Sequence, residues 1–229
     1  MTELEFRDRV VVVTGASSGI GRATAEAFAR HGALVATFSR SAEKLGENML
    51  AVRGDVADPE AVERLFDEVE SRFGDCDILV NSAGMIDPKR MIDTTPEAWD
   101  RMFAVNVRGT FLASRRALRA MIAKRSGAIV NVASISGVFG PEKFAGYVSY
   151  CASKAAVISM TESLAGEVRE FGVRVNCVSP GSVDTKMWAD ASGGAPAAMT
   201  ADEIAGAILF LASNRSRPMN GQNLNVWST

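Results

Sequence analysis

The stretch Val11–Arg22, VVVTGASSGIGR, decides how this chain is read. It opens as a β-branched run, apolar at consecutive positions. Such a run predicts a strand buried on both faces, the condition of strands in a parallel sheet covered by helices. Gly15, Gly19 and Gly21 follow where the strand hands over to a helical pattern. Two readings compete. The glycines could form a tight turn that only packs the helix close. They could also seat a phosphate, since small residues let the backbone approach an anion and a helix N-terminus offers unpaired N–H groups and a positive dipole. The spacing alone does not separate the two.

The same kind of run recurs along the chain. Strand candidates are Val11–Gly15, Leu34–Ser39, Met49–Val56, Asp77–Gly84, Ala128–Ser134, Val173–Ser179 and Asn223–Trp227. Helical periods lie between them at Ile20–Arg30, Pro59–Phe73, Pro96–Lys124, Val148–Phe171 and Ala201–Ala212. Strand–helix alternation predicts a doubly wound α/β sheet. No low-complexity linker or repeat divides the chain, so one domain over residues 1–229 is expected, with 186–200 as a short substrate loop.

The bulk properties narrow the function. The chain has 229 residues, 47% hydrophobic, enough for a sizeable core. A net charge of −2 argues against a nucleic-acid partner. No segment is long and apolar enough to span a membrane. The charged start MTELEFRDRV does not read as an export signal, and Cys76, Cys151 and Cys177 form neither a CxxC nor a zinc spacing. A cytoplasmic protein without a metal site is expected. His31, between a helical stretch and a glycine, reads as a helix-end residue.

In a parallel sheet the ligand crevice lies beyond the carboxyl ends of the strands, where the glycine turn falls. Ser17 and Ser18 add hydroxyls there. The second strand ends TFSRS, Thr37–Ser41, with Arg40 at its tip and no carboxylate. An acidic residue there would bind a ribose 2′-hydroxyl and an Arg would accommodate a 2′-phosphate, so NADP(H) is expected over NAD(H). Arg22 is a second candidate for that phosphate. Asp55 either accepts from an adenine amino group or caps the following helix. Tyr150 and Lys154, in SYCASKAA, are four apart and share one helix face. A free Tyr, with a pKa near 10, is a poor acid or base at neutral pH, and a nearby ammonium is expected to lower that value. Ser134, expected at a strand end, could hydrogen-bond a substrate oxygen. Asn106 is polar among apolar neighbours and could hold a water beside Lys154 or tie its helix to the sheet.

Together these residues resemble the classical short-chain dehydrogenase/reductase family, over nearly the whole chain. TGASSGIG is similar to the family's TGxxxGxG turn, which gives Thr14, Gly15, Ser17, Gly19, Ile20 and Gly21 cofactor-binding roles. GDV resembles the adenine-side pair, here Asp55 and Val56. NSAG, carrying Asn81, Ala83 and Gly84, resembles NNAG, which supports the sheet and lines the cofactor site, with Ser82 in place of the second Asn. Asn106, Ser134, Tyr150 and Lys154 fall where the family's catalytic Asn, Ser, Tyr and Lys stand. SPGSVDT resembles the family's PG motif, so Pro180, Gly181, Val183 and Thr185 would meet the nicotinamide and its phosphates. The resemblance implies a single-domain Rossmann fold with a seven-stranded parallel sheet. It also implies a homotetramer or homodimer, with the helices carrying Asn106 and Tyr150 forming one dimer interface. Tyr150 would pass the proton, Lys154 would tune it and bind the nicotinamide ribose, Ser134 would orient the substrate oxygen, and Asn106 would position a relay water.

Three further departures from the family pattern stand out. The segment Ile135–Ser149 is longer than usual and carries Tyr147, a decoy with Cys151 rather than a Lys four residues on. Residues 186–200 are short for a substrate loop. The ending NVWST lacks Asp-Gly-Gly. The expected function is an NADP(H)-dependent carbonyl or 3-oxoacyl-thioester reductase acting on a small, apolar carbonyl or alcohol. Ile135, Ser136, Val138, Phe144, Tyr147, Met187 and Trp188 are the candidate pocket lining. The alternatives are an NAD-dependent alcohol dehydrogenase of the same family and a catalytically silent dinucleotide sensor. A sugar-nucleotide epimerase fits less well, because the segment after the PG motif is too short for a separate substrate domain.

Overall fold

A computed structural model describes residues 5–43, 46, 49–141 and 143–227. Seven strands, β1 (Val10–Thr14), β2 (Leu34–Ser39), β3 (Met49–Arg53), β4 (Ile78–Asn81), β5 (Gly127–Val132), β6 (Val173–Pro180) and β7 (Asn223–Val226), form one sheet. Their order is β3-β2-β1-β4-β5-β6-β7, and every neighbouring pair is parallel. The helices are α1 (Gly19–Arg30), α2 (Pro59–Phe73), α3 (Pro96–Phe103), α4 (Gly109–Ala123), α5 (Val148–Val168), α6 (Lys186–Ser192) and α7 (Ala201–Ala212). The chain winds outward from β1 to β3, then crosses back to place β4 on the other side of β1. That reversal opens a crevice beyond the carboxyl ends of β1 and β4.

The unbroken apolar run of β1 follows from this layering. Val11 and Val13 pack into a core with Phe28 of α1 and Ile204 and Ile208 of α7. Val10 and Val12 pack into a second core with Leu65 and Phe66 of α2, Ala113 of α4 and Val168 of α5. Alternate residues face opposite layers, so Val10–Val13 are apolar on both faces. The helix starts are specified locally. Asp58 accepts from the Glu60 N–H with Pro59 in the first turn, and Thr200 and Glu203 form a reciprocal capping box. His31 ends α1, as its place before Gly32 predicts.

Two expectations are corrected. The helical period Pro96–Lys124 is not one helix, because a π-helical turn at Ala104–Arg108 separates α3 from α4. Asn106 lies in that turn, where its carbonyl accepts from the Thr110 hydroxyl at 2.9 Å and its side chain bonds the Met85 backbone. Residues 186–200 are not all loop. Thr185 caps Trp188 N–H to start α6, and Gly193, left-handed at φ 68°, ends it.

Gly15 has φ +70°, and a Cβ there would lie 2.5 Å from the Ala83 Cα. Gly206, inside α7, has open space around a Cβ. Gly15→Ala should cost about 2 kcal/mol or more from combined strain and overpacking. Gly206→Ala should gain up to about 1 kcal/mol from helix propensity. Urea denaturation of the two variants beside the wild type checks both signs.

Candidate active site

A cavity of about 690 Å³ runs along the carboxyl ends of the strands. On the β1–β2–β3 side it is floored by the glycine turn. Gly15 and Gly19 have positive φ, and a Cβ on Gly21 would strike the Gly15 carbonyl. The turn is therefore closed on itself as well as pressed against β4. Ser18, at the N-terminus of α1, makes no side-chain cap, and the first turn holds no acidic residue. The leading N–H groups are left without a side-chain acceptor, the condition for binding an anion. Ser17, Ser18, Gly19 and Ile20 line the cavity.

Ser39 and Arg40 line the same end, and the buried Ser39 Oγ has no hydrogen-bond partner among the described residues. Arg22 does not line the cavity; its Nε donates to Glu26 at 2.8 Å. Asp55 does not cap α2, since Asp58 fills that role. Asp55 Oδ1 accepts from Ala57 N–H at 2.9 Å and Oδ2 from Arg101 at 2.6 Å. Burial works to raise the Asp55 pKa, but its hydrogen bonds to Arg101 and Ala57 prevail and hold it below the usual value. Val56 lines the cavity and leaves no room for a side chain at Gly109.

Beyond β4, Ala83 and Gly84 line the cavity, and Ala83 N–H donates to Thr14 Oγ1 at 3.3 Å. Asn81 does not reach it. Its buried side chain donates to Ser114 and Asn131 inside the core. Asn106 also lies outside the lining. It accepts from Met85 N–H at 2.8 Å and donates to the Met85 carbonyl at 3.0 Å and to Ser153 Oγ at 2.9 Å. The side chain thus ties its helix to the segment after β4. Pro180, Gly181, Val183 and Thr185 line the far wall, with the Thr185 hydroxyl engaged in capping α6.

Ser134 sits two residues past β5 and opens a 3-10 turn, where its Oγ accepts from Ser136 N–H at 3.1 Å. Tyr150 and Lys154 share one face of α5, with Lys154 Nζ 5.8 Å from the Tyr150 ring centre. Lys154 is only 5% exposed and donates to the Val132 carbonyl at 2.9 Å. Burial pushes the Tyr150 pKa up to about 12, against a hydrogen bond with Ser134 that pulls it down. Burial likewise pushes Lys154 down to about 8. The expected lowering at Tyr150 is therefore not what the chain alone produces, because desolvation outweighs the Ser134 hydrogen bond.

Ile135, Ser136, Phe144, Tyr147, Met187 and Trp188 line the cavity beside Tyr150; Val138 does not. Tyr147 is engaged on both its ring and its hydroxyl. Its ring meets Tyr150 edge-on, and its hydroxyl donates to the Ala191 carbonyl on α6 at 3.2 Å. The sequence reading missed Arg101, Met199 and Trp227, which also line the cavity. None belongs to a motif, and the partner of Arg101 lies 46 residues away. Among the described residues no group of three or more His, Cys, Asp or Glu could hold a metal, and no helix is long and apolar enough to cross a membrane.

The profile of the family described as short chain dehydrogenase matches residues 9–195. The chain belongs to the short-chain dehydrogenase family. It is 35% identical over 240 residues to the 3-oxoacyl-[acyl-carrier-protein] reductase of Escherichia coli K12, covering 97% of each chain. It is 39% identical over 241 residues to the cis-4-hydroxycyclohexanecarboxylate dehydrogenase of Sinomonas cyclohexanicum, covering 96% of each. A solved structure named ribose-5-phosphate isomerase, from Brucella melitensis 16M, superposes with a TM-score of 0.91 at 36% identity, over 98% of this chain and 93% of that one. Short-chain dehydrogenases are oxidoreductases that use nicotinamide cofactors on small molecules. The site fits such a cofactor, since the glycine floor, the uncapped start of α1 and the orphaned Ser39 hydroxyl all line one cavity.

Lys154 gives this short-chain dehydrogenase a testable pH signature. Its folded pKa, about 8, lies below the ordinary 10.5. Below pH 8 the ammonium is charged in both states and its burial penalty is fully present. As pH rises from 8 to 10.5 the folded state sheds the proton first and the penalty is relieved. Lys154→Met should therefore be more stable than wild type at pH 7, by at most roughly 3 kcal/mol. The gap should narrow toward pH 10, read from urea melts at a series of pH values.

Proposed function

We propose that this protein is an NADP(H)-dependent carbonyl reductase working through Tyr150, Lys154, Ser134 and Asn106. The observation that carries the reading is the placement of Tyr150, Ser134 and Lys154 at one end of a cavity whose other end is the glycine floor. NADP(H), when bound, supplies the hydride for reduction or takes it up in oxidation. Ser134 Oγ holds the substrate oxygen, and Tyr150 Oη gives it a proton. With its pKa near 12, Tyr150 carries that proton throughout the neutral range. Lys154, held against the Val132 carbonyl, binds the ribose hydroxyls and supports the phenol as it loses the proton. Asn106 acts through Met85 and Ser153, fixing the wall behind Lys154. Thr14, Gly15, Gly21, Val56, Ala83, Gly84, Pro180, Gly181 and Val183 shape the cofactor's bed, while Asn81 supports it from the core.

The preference for NADP(H) rests on Arg40, which has no ion-pair partner among the described residues, beside the unpartnered Ser39 hydroxyl and with no carboxylate at the tip of β2. The substrate is a neutral, apolar carbonyl. Near Tyr150 the described lining is Ile135, Ser136, Phe144, Tyr147, Met187 and Trp188, mostly apolar, and its only charge is the buried Lys154. The relative named as a 3-oxoacyl-[acyl-carrier-protein] reductase is compatible with such a substrate, whereas the cis-4-hydroxycyclohexanecarboxylate in the other relative's name joins an apolar ring to a charged group. We extend the reading to a homo-oligomer joined through α4 and α5, where Phe111 and Val148 are 47% and 48% exposed.

Following NADPH absorbance over a panel of apolar ketones and 3-oxoacyl thioesters tests the reading. Tyr150→Phe should lower turnover by about 10²–10⁴-fold while leaving the NADPH Kd within twofold. Arg40→Ala should weaken NADPH by about 10–100-fold and leave NADH nearly unchanged, the loss of a charge-assisted contact. Wild-type cofactor binding without turnover on any carbonyl would favour a dinucleotide sensor instead.

A further inference from the structure

We propose that Arg101 is a cofactor-binding residue that covers the adenine base and fixes Asp55 as the acceptor for its amino group. The inference rests on the dinucleotide reading above and adds a residue outside every motif. Arg101 lies on α3 and lines the cavity at the β3 side. It donates to Asp55 Oδ2 at 2.6 Å and has no other polar partner among the described residues. A guanidinium carries five N–H donors in one plane, so most of its donors are unclaimed. The side chains of the pair are 43% and 30% exposed. An ion pair that open contributes little to stability, so stability does not explain why it stands in the cavity wall.

The geometry assigns the two parts different tasks. Asp55 is held from two sides, by Ala57 N–H on Oδ1 and by Arg101 on Oδ2. A carboxylate fixed this way stays ionised and keeps lone pairs free for one further donor. The donor expected at the carboxyl end of β3, on the adenosine side of the crevice, is an exocyclic amine. A planar, weakly hydrated cation beside a flat base binds it by lying over its face. Arg101 is not the 2′-phosphate ligand, because its charge is already balanced by Asp55. Arg40 is the cation without an ion-pair partner among the described residues.

The test is calorimetric titration of the full chain with two fragments that lack nicotinamide, ADP-ribose and 2′-phospho-ADP-ribose. Arg101→Met should weaken both by the same factor, about 5- to 20-fold. Arg101→Lys should recover only part of the loss, because an ammonium is not planar. The Tm should stay near wild type, so that the lost affinity reads as a lost contact with the base rather than a lost fold. Wild-type affinity in both variants overturns the proposal. So does a loss confined to the 2′-phosphorylated fragment, which would make Arg101 a phosphate ligand. A wild-type chain that binds neither fragment overturns the dinucleotide reading, and this proposal with it.

Discussion

The β1–α1 turn passes the exit of β4 so closely that no side chain fits between them. A Cβ on Gly15 would lie 2.5 Å from the Ala83 Cα. Gly15 N–H also donates to the Phe38 carbonyl at 2.7 Å, and Thr14 Oγ1 accepts from Ala83 N–H. The carboxyl ends of β2, β1 and β4 are thereby held in one plane of contact. The crevice exists because the sheet order reverses at β1, but its floor exists because those three ends meet over glycine. The exposed N-terminus of α1, the cavity and the position of Gly84 beside Lys154 all follow from that contact.

The helices that carry the candidate catalytic residues are tied to this floor through buried polar groups. Asn81 on β4 donates to Ser114 on α4 and to Asn131 on β5, and Asn131 donates to Thr161 on α5. All four residues are buried. Hydrogen bonds in this setting fix direction as well as distance, because a misaligned buried polar group is costly. Asn106 repeats the device nearer the site, joining Met85 after β4 to Ser153 on α5. Ser153 in turn donates to the Tyr150 carbonyl at 2.8 Å. The phenol is placed by a chain of contacts that begins in the core of the sheet.

Much of this was legible in the sequence because parallel strands announce themselves as unbroken apolar runs, and β2 lies at Leu34–Ser39, the bounds expected. The glycines and the Tyr150–Lys154 spacing were legible because local geometry demands those residue types. What escaped was set by long-range contact. The π-helical turn at Asn106 has no periodic signature, and the Met85 backbone that its side chain bonds lies 21 positions away. Asn81 reads as a cofactor residue from its motif, yet its side chain turns into the core. The α6 helix is short, but Thr185 and Gly193 at its ends were a start and a stop signal that could have found it. Arg101 left no trace, because nothing near it in sequence resembles Asp55.

The sequence predicts an ammonium that lowers the pKa of Tyr150, whereas the folded chain raises it. Tyr150 is half-buried and Lys154 buried at the cavity wall, and burial disfavours the charged form of each. An ammonium attracts a phenolate more strongly than a phenol, so Lys154 supports Tyr150 most once the proton has left. With Tyr150 near 12 and Lys154 near 8, the resting site at neutral pH holds a neutral phenol and a largely charged amine. A neutral phenol is a proton donor in place. Reduction can begin from the dominant state, whereas oxidation must first remove a proton that burial protects. In the proposed chemistry the neutral phenol is the form that donates to a carbonyl oxygen, and the phenolate the form that accepts from an alcohol.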